Sequence, residues 1–151
     1  MAQSILFVCL GNICRSPSAE GVLRHMAEVR GHALEIDSAG TGDWHVGDPP
    51  YGPMQQAARA RGYDLSRLRA RQVSRADFDR FDLILAMDGS NLAHLEHLRP
   101  GASRAELRLF TDYAPETGAS EVPDPYYTRD FDGALDLIER AARGLLDQLG
   151  E

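Results

Sequence analysis

Cys9 and Arg15 stand six residues apart in the run Cys9-Leu10-Gly11-Asn12-Ile13-Cys14-Arg15-Ser16-Pro17. A cysteine attacks phosphorus once it is a thiolate, and an arginine can hold two oxyanion oxygens through paired charge-assisted hydrogen bonds. The residues between them suit an anion cradle. They lie between an apolar stretch and a helix start, where backbone N–H groups and the helix dipole converge on one concavity. Gly11 is expected to supply the backbone freedom of a tight loop. Ser16 is expected to donate a hydrogen bond to the sulfur, and the positive field favours the thiolate of Cys9. The alternative for Cys9 is a small buried apolar residue, which leaves the arrival of glycine, asparagine, arginine and helix start together unexplained. Cys14 has two readings: a filler of the loop, or a partner that traps an oxidised Cys9 as a disulfide.

Attack on a phosphate ester needs a general acid for the leaving oxygen. Asp124, in Glu121-Val122-Pro123-Asp124-Pro125-Tyr126-Tyr127, has prolines on both sides that restrict its backbone to extended or turn conformations. By itself this loop is equally an ordinary Asp-Pro turn with exposed tyrosines. Trp44, the single tryptophan, reads either as a core plug or as an exposed stacking platform. His45 reads as a surface histidine. With two cysteines in all, no zinc spacing is present, and no metal or cofactor is expected.

These residues need elements to hold them. Ser4 to Val8 reads as a buried strand, followed by a helix with Ser16 as N-cap, Pro17 in its first turn, Val22, Met26 and Val29 on one face, and Gly31 as its stop. Leu34 to Ser38 reads as a second strand, Met54 to Arg61 as a helix, and Val73 as a brief extended element before a short helix near Arg75 to Asp79. Phe81 to Met87 is a third strand, Asn91 to Leu98 a helix and Glu106 to Phe110 a fourth strand. A polar stretch runs to Asp130. A last helix, Phe131 to Leu149, buries Leu135, Ile138, Ala142 and Leu145. Alternating strands and helices imply a doubly wound α/β fold in three layers, a single domain over residues 1–151, with the phosphate loop after the first strand.

Sixteen basic against twenty-three acidic residues give a net charge of −7. A surface that acidic excludes broad binding to nucleic acid or anionic membrane. The sequence contains no lysine, which excludes a Walker-type phosphate loop and Schiff-base chemistry. The N-terminal apolar run is too short for a signal peptide or membrane span, so a reduced, cytoplasmic protein is expected.

At these residues the chain resembles the low-molecular-weight protein tyrosine phosphatases. The resemblance rests on Val8 to Pro17, Asp37-Ser38-Ala39-Gly40-Thr41, Ala70-Arg71-Gln72-Val73, Met87-Asp88 and Asp124-Pro125-Tyr126-Tyr127. It implies a four-stranded parallel sheet and hydrolysis of phosphotyrosine through a phosphocysteine intermediate. Cys9 would be the nucleophile, Arg15 the phosphate-binding residue, and Asp124 the general acid and then the base. Leu10, Gly11, Asn12, Ile13, Cys14, Ser16 and Ser38 would form and support the loop. Trp44, Tyr126 and Tyr127 would wall the cleft. The implied partner is a phosphotyrosine-containing protein, and a monomer is expected, a weak dimer being the alternative.

Leu68 stands where many members carry a histidine, so a shortened loop-supporting network is expected. Related arsenate reductases need cysteines beyond Cys14, which this chain lacks. Protein-arginine phosphatases resemble a form with threonine in place of Leu10 and Ile13, whereas Ile13 offers an edge suited to an aryl ring. A non-catalytic phosphotyrosine-binding module would lack the nucleophile or the acid.

Overall fold

A computed structural model describes residues 4–150. The strands are β1 (Ser4–Cys9), β2 (Glu35–Gly40), β3 (Leu83–Ala86) and β4 (Glu106–Leu109). The helices are α1 (Arg15–Arg30), α2 (Gly52–Ala60), α3 (Asp77–Arg80), α4 (Gly89–Leu98), α5 (Pro125–Thr128) and α6 (Phe131–Leu149). All strand pairs are parallel and the order is β2-β1-β3-β4. Among the described residues no helix is long and apolar enough to cross a membrane.

Strand residues alternate between two apolar layers, as the two-residue period of a strand demands. Ile5, Phe7, Leu83 and Leu85 pack with Val22 and Leu23 of α1, Met54 of α2, and Leu135, Ile138, Ala142 and Leu145 of α6. Leu6, Val8, Ile84 and Ala86 pack with Phe78 of α3 and Leu95 of α4. Burial on both faces explains why β1 and β3 read as continuous apolar runs. Phe7 meets Phe110 edge-on, 4.9 Å between ring centroids, which ties β1 to the 3₁₀ turn after β4.

Several boundaries differ from expectation. Helix α1 starts at Arg15, with Cys14 and not Ser16 in the N-cap position. Ser18 N donates to the Cys14 carbonyl, which places that turn inside the helix, and the Ser16 hydroxyl is used elsewhere. Val29 is 75% exposed, whereas Ala27 in the same turn is buried, so the core-facing stripe passes through Ala27 and not Val29. Strand β2 runs two residues further than Ser38, since Gly40 pairs with Cys9. Gln72, beside Val73, makes the bridge to Gly40. Helix α5, one turn within the stretch read as polar loop, lacks the length for a periodic signal.

The strand order reverses between β1 and β3, the place where open α/β sheets bind ligands beyond their carboxyl ends. Cys9 ends β1, and Asp88 follows β3.

Candidate active site

The loop from Leu10 to Cys14 curls over the end of β1. Asn12 N donates to Cys9 Sγ at 3.3 Å, so the loop folds back on the sulfur. The backbone N–H groups of Gly11, Ile13, Cys14 and Arg15 have no acceptor among the described residues. Such donors, at the N-terminus of a 16-residue helix, form an anion cradle. The left-handed residue is Asn12, at φ 57°, and not Gly11 as expected. Asparagine tolerates this region better than most residues. Gly11 serves a steric purpose, since a Cβ there would come within 3.2 Å of His45 Cδ2.

Hydrogen bonds hold Asn12 in that conformation. Its Nδ2 donates to Ser16 Oγ at 2.7 Å and to Ser38 Oγ at 3.0 Å, and its Oδ1 accepts from Arg71 N at 3.0 Å. Ser38 in turn donates to Glu20 Oε1 at 2.7 Å. Each bond constrains the direction of the next. The one hydrogen of Ser38 goes to Glu20, so Ser38 can only accept from Asn12. Ser16 likewise accepts from Asn12, which leaves its one hydrogen for Cys9 Sγ at 3.0 Å or the Ala39 carbonyl at 3.3 Å. The network therefore sets a hydroxyl donor within reach of the sulfur.

Leu68 packs on the core and takes no part in this network. The network lacks a side-chain contribution from that position, and Glu20 and the Arg71 backbone supply its outer partners. Arg71 is held by Asp37 and, through two bonds, by Asp77. Burial pushes the Glu20 carboxyl above its ordinary range, only partly offset by the hydrogen bond from Ser38 and the Arg24 cation.

Arg15 is 2% exposed. Its Nη1 donates to Asp88 Oδ2 at 2.7 Å and to the Val122 carbonyl at 3.0 Å, and its Nη2 to Asp124 Oδ2 at 3.4 Å. Its Nε is buried and without an acceptor among the described residues. Burial opposes the charge of Arg15, but the Cys9, Asp88 and Asp124 charges outweigh that and raise its pKa. Asp88 uses its other oxygen to cap α4 through Asn91 N. Val122 is fully buried, and its N–H donates to the Met87 carbonyl at 2.8 Å. That bond docks the loop carrying Asp124 onto the end of β3.

Asp124 caps α5 by accepting from Tyr126 N. With Cys9, Leu10, Ile13 and Cys14 it borders a cleft of about 270 Å³ whose other walls include Trp44, Tyr126 and Tyr127. Trp44 and Tyr127 are each 70% exposed, so Trp44 is an exposed platform and not a core plug. Burial, with the Cys9 and Asp124 charges, pushes the Cys14 thiol up to about 12. Cys14 thus stays a neutral thiol at neutral pH.

The structure brings all the expected site residues to this one cleft or directly behind it. Sequence reading missed Asp88, Glu20, Arg71, Val122 and His45 as members of the site. Asp88 carried a signal, an acidic residue ending an apolar strand and preceding a helix. Glu20 carried a fainter one, a charge on the apolar side of α1.

The pattern of the low molecular weight phosphotyrosine protein phosphatase family matches residues 4–151. A low molecular weight protein-tyrosine-phosphatase of Bacillus subtilis, YfkJ, is 41% identical over 145 residues, covering 95% of this chain and 93% of the relative. A crystal structure of a protein tyrosine phosphatase from Entamoeba histolytica superposes with a TM-score of 0.92 at 35% identity, covering 97% and 96% of the two chains. A Drosophila arginine phosphatase superposes with a TM-score of 0.92 at 32% identity, covering 97% and 98%. With an anion loop closed on Cys9, a buried arginine spanning the sheet's switch point and similarity along nearly its whole length, the chain belongs to the low molecular weight phosphotyrosine protein phosphatase family.

Proposed function

We propose that the protein hydrolyses phosphotyrosine and other aryl phosphate monoesters in two steps. In the first, the Cys9 thiolate attacks phosphorus, the P–O bond to the phenol breaks, and Asp124 gives its proton to the departing oxygen. The product is a phosphocysteine. In the second, the Asp124 carboxylate takes a proton from water, the water oxygen attacks phosphorus, and Cys9 leaves as a thiolate with release of inorganic phosphate. Arg15 and the loop N–H groups hold the equatorial oxygens, where charge accumulates. Ser16 donates to the sulfur each time it becomes anionic.

The observation that carries this reading is the Arg15 guanidinium, hydrogen-bonded to Asp124 over a loop closed on Cys9, with its Nε left for a ligand oxygen. Asp124 is held by Arg15 only at 3.4 Å, a loose contact that frees it to meet a leaving group. The aromatic walls and Ile13 favour a flat, apolar phenol ring. A reducing cytoplasm keeps Cys9 in its active form, and a monomer presents the cleft unobstructed.

Wild-type protein is expected to release phosphate from phenyl phosphate and Cys9→Ser is not. Turnover retained in Cys9→Ser would sink the proposal. The Drosophila neighbour's name supports a second reading, phosphoarginine as substrate. Paired peptides carrying phosphotyrosine or phosphoarginine separate the two, and a higher kcat/KM on phosphotyrosine is expected.

A further inference from the structure

Beside the cleft lies a second hollow of about 320 Å³ that shares Ile13, His45 and Tyr126 with it. Its remaining walls include Pro49, Pro50, Tyr51 and Asp48. We propose that this hollow is a subsite for the apolar side chain of a residue flanking the phosphotyrosine in a peptide or protein substrate. The inference rests on the aryl phosphatase reading above.

The hollow is built and preformed. Tyr51 N donates to the Ile13 carbonyl at 2.9 Å, which fastens its wall to the phosphate loop itself. Gln55 Nε2 holds the Pro50 carbonyl at 2.7 Å, and Ala70 N holds the Asp48 carbonyl at 2.8 Å. The Tyr51 ring is braced by Tyr126 at 5.1 Å and by Arg129, whose guanidinium lies 5.3 Å from the ring and donates to its hydroxyl. A rigid hollow loses little entropy on filling.

Its chemistry is apolar. Two prolines, two tyrosines and Ile13 supply the surface. The two ionisable groups in it other than the tyrosines, His45 and Asp48, face each other, with His45 Nδ1 3.2 Å from Asp48 Oδ2. A charged ligand group would compete with that contact, and an apolar side chain would not.

The occupant follows from continuity with the cleft. A phosphotyrosine ring standing on the phosphate loop fills the first hollow, so the peptide must leave over its rim. Ile13, His45 and Tyr126 form one stretch of that rim, and a neighbouring side chain crossing it drops into the second hollow. Burying a leucine there is expected to raise kcat/KM about tenfold over serine.

The test uses phosphotyrosine peptides with leucine or serine scanned through the flanking positions, and phenyl phosphate as the substrate without flanks. Leucine is expected to win at one position. Gly52 borders the hollow, and a Cβ added there meets nothing within 4 Å. Gly52→Phe thus has room for its ring at the edge of the hollow, and is expected to obstruct it and abolish the leucine preference while leaving phenyl phosphate turnover unchanged. Pro49→Asp, which puts a charge in the wall, should reduce the preference in the same way and serves if Gly52→Phe folds poorly. If no position separates leucine from serine, or if the preference survives both variants, the subsite is overturned while the catalytic reading stands. Failure of the wild type on phenyl phosphate would overturn both.

Discussion

A buried carboxylate costs free energy, and a fold keeps one where its charge has a use. Glu20 is such a group. Its ionised form accepts from Ser38, and that choice orients Asn12, Ser16 and finally the bond to Cys9. In Glu20→Gln, Arg24 would claim the amide oxygen, so the amide NH₂ would face Ser38. The Ser38 hydrogen would then turn toward Asn12 Nδ2, donor against donor. Loss of one charge-assisted hydrogen bond is worth about 1.5–3 kcal/mol, so kcat/KM of this variant is expected to fall about tenfold or more, with slower alkylation of Cys9 by iodoacetate. The stability effect has a different sign. The folded-state pKa of Glu20 lies above the unfolded one, so the folded state holds the proton more tightly. Wild-type stability relative to Glu20→Gln is therefore fully present below the ordinary carboxylate range and lost as pH rises from that range through the raised folded-state value. Thermal melts of both proteins across acidic to neutral pH check this; a gap that widens in favour of wild type as pH rises would refute it. For Asp124→Asn, turnover of phenyl phosphate should fall about 10²–10⁴-fold, and turnover of a nitrophenyl ester, whose leaving group needs less protonation, should fall less. Equal losses on both would assign the acid elsewhere.

At the scale of elements, the site is assembled where chain segments touch without side chains between them. Gly40, the last residue of β2, lies so close to the loop that an added Cβ would sit 2.8 Å from the Leu10 carbonyl oxygen and 3.1 Å from the Gly11 carbonyl carbon. Both are backbone atoms, so the loop itself would have to move. Gly40→Ala is expected to destabilise the protein by about 1–3 kcal/mol and to lower kcat/KM, read by thermal melting and steady-state kinetics. Unchanged kinetics would mean that the loop tolerates the shift. The elements differed in how legible they were. Helix α6 shows its core stripe at helical spacing, and Leu135, Ile138, Ala142 and Leu145 are all fully buried. Helix α1 misled at both ends, since Ser16 has the residue type of a cap and the position of a loop support. Val29 has the spacing of a core residue but lies on the exposed side of its turn.

At the scale of the whole molecule, a protein of net charge −7 can hold an anion only through local geometry working against its overall field. Arg15 joins three segments: its own helix, Asp88 after β3, and the loop carrying Val122 and Asp124. An oxyanion on the loop should therefore stabilise the entire fold. Inorganic phosphate at one hundred times its Kd is expected to contribute about 2.7 kcal/mol, which raises Tm by roughly 5–10 °C for a domain of this size. Cys9→Ser should keep that shift, because the cradle remains, and Arg15→Ala should lose it. An equal shift in Arg15→Ala would place the anion elsewhere.

The amino-acid sequence by itself determined the parts that are contiguous in the chain. The strand, the loop from Cys9 to Ser16 and the start of α1 follow one another directly, so residue types and spacing suffice to name a thiol, an anion cradle and an arginine. The proposed general acid was less legible: Asp124 read as an ordinary Asp-Pro turn until the family resemblance singled it out. Only the tertiary structure decided what holds these groups in place. Asp88 meets Arg15 across 73 residues of chain, Asp124 across 109, and Arg71 meets Asn12 across 59. Such contacts exist only once the parallel sheet has set the carboxyl ends of β1, β2 and β3 side by side, because hydrogen bonds depend on distance in space and not along the chain.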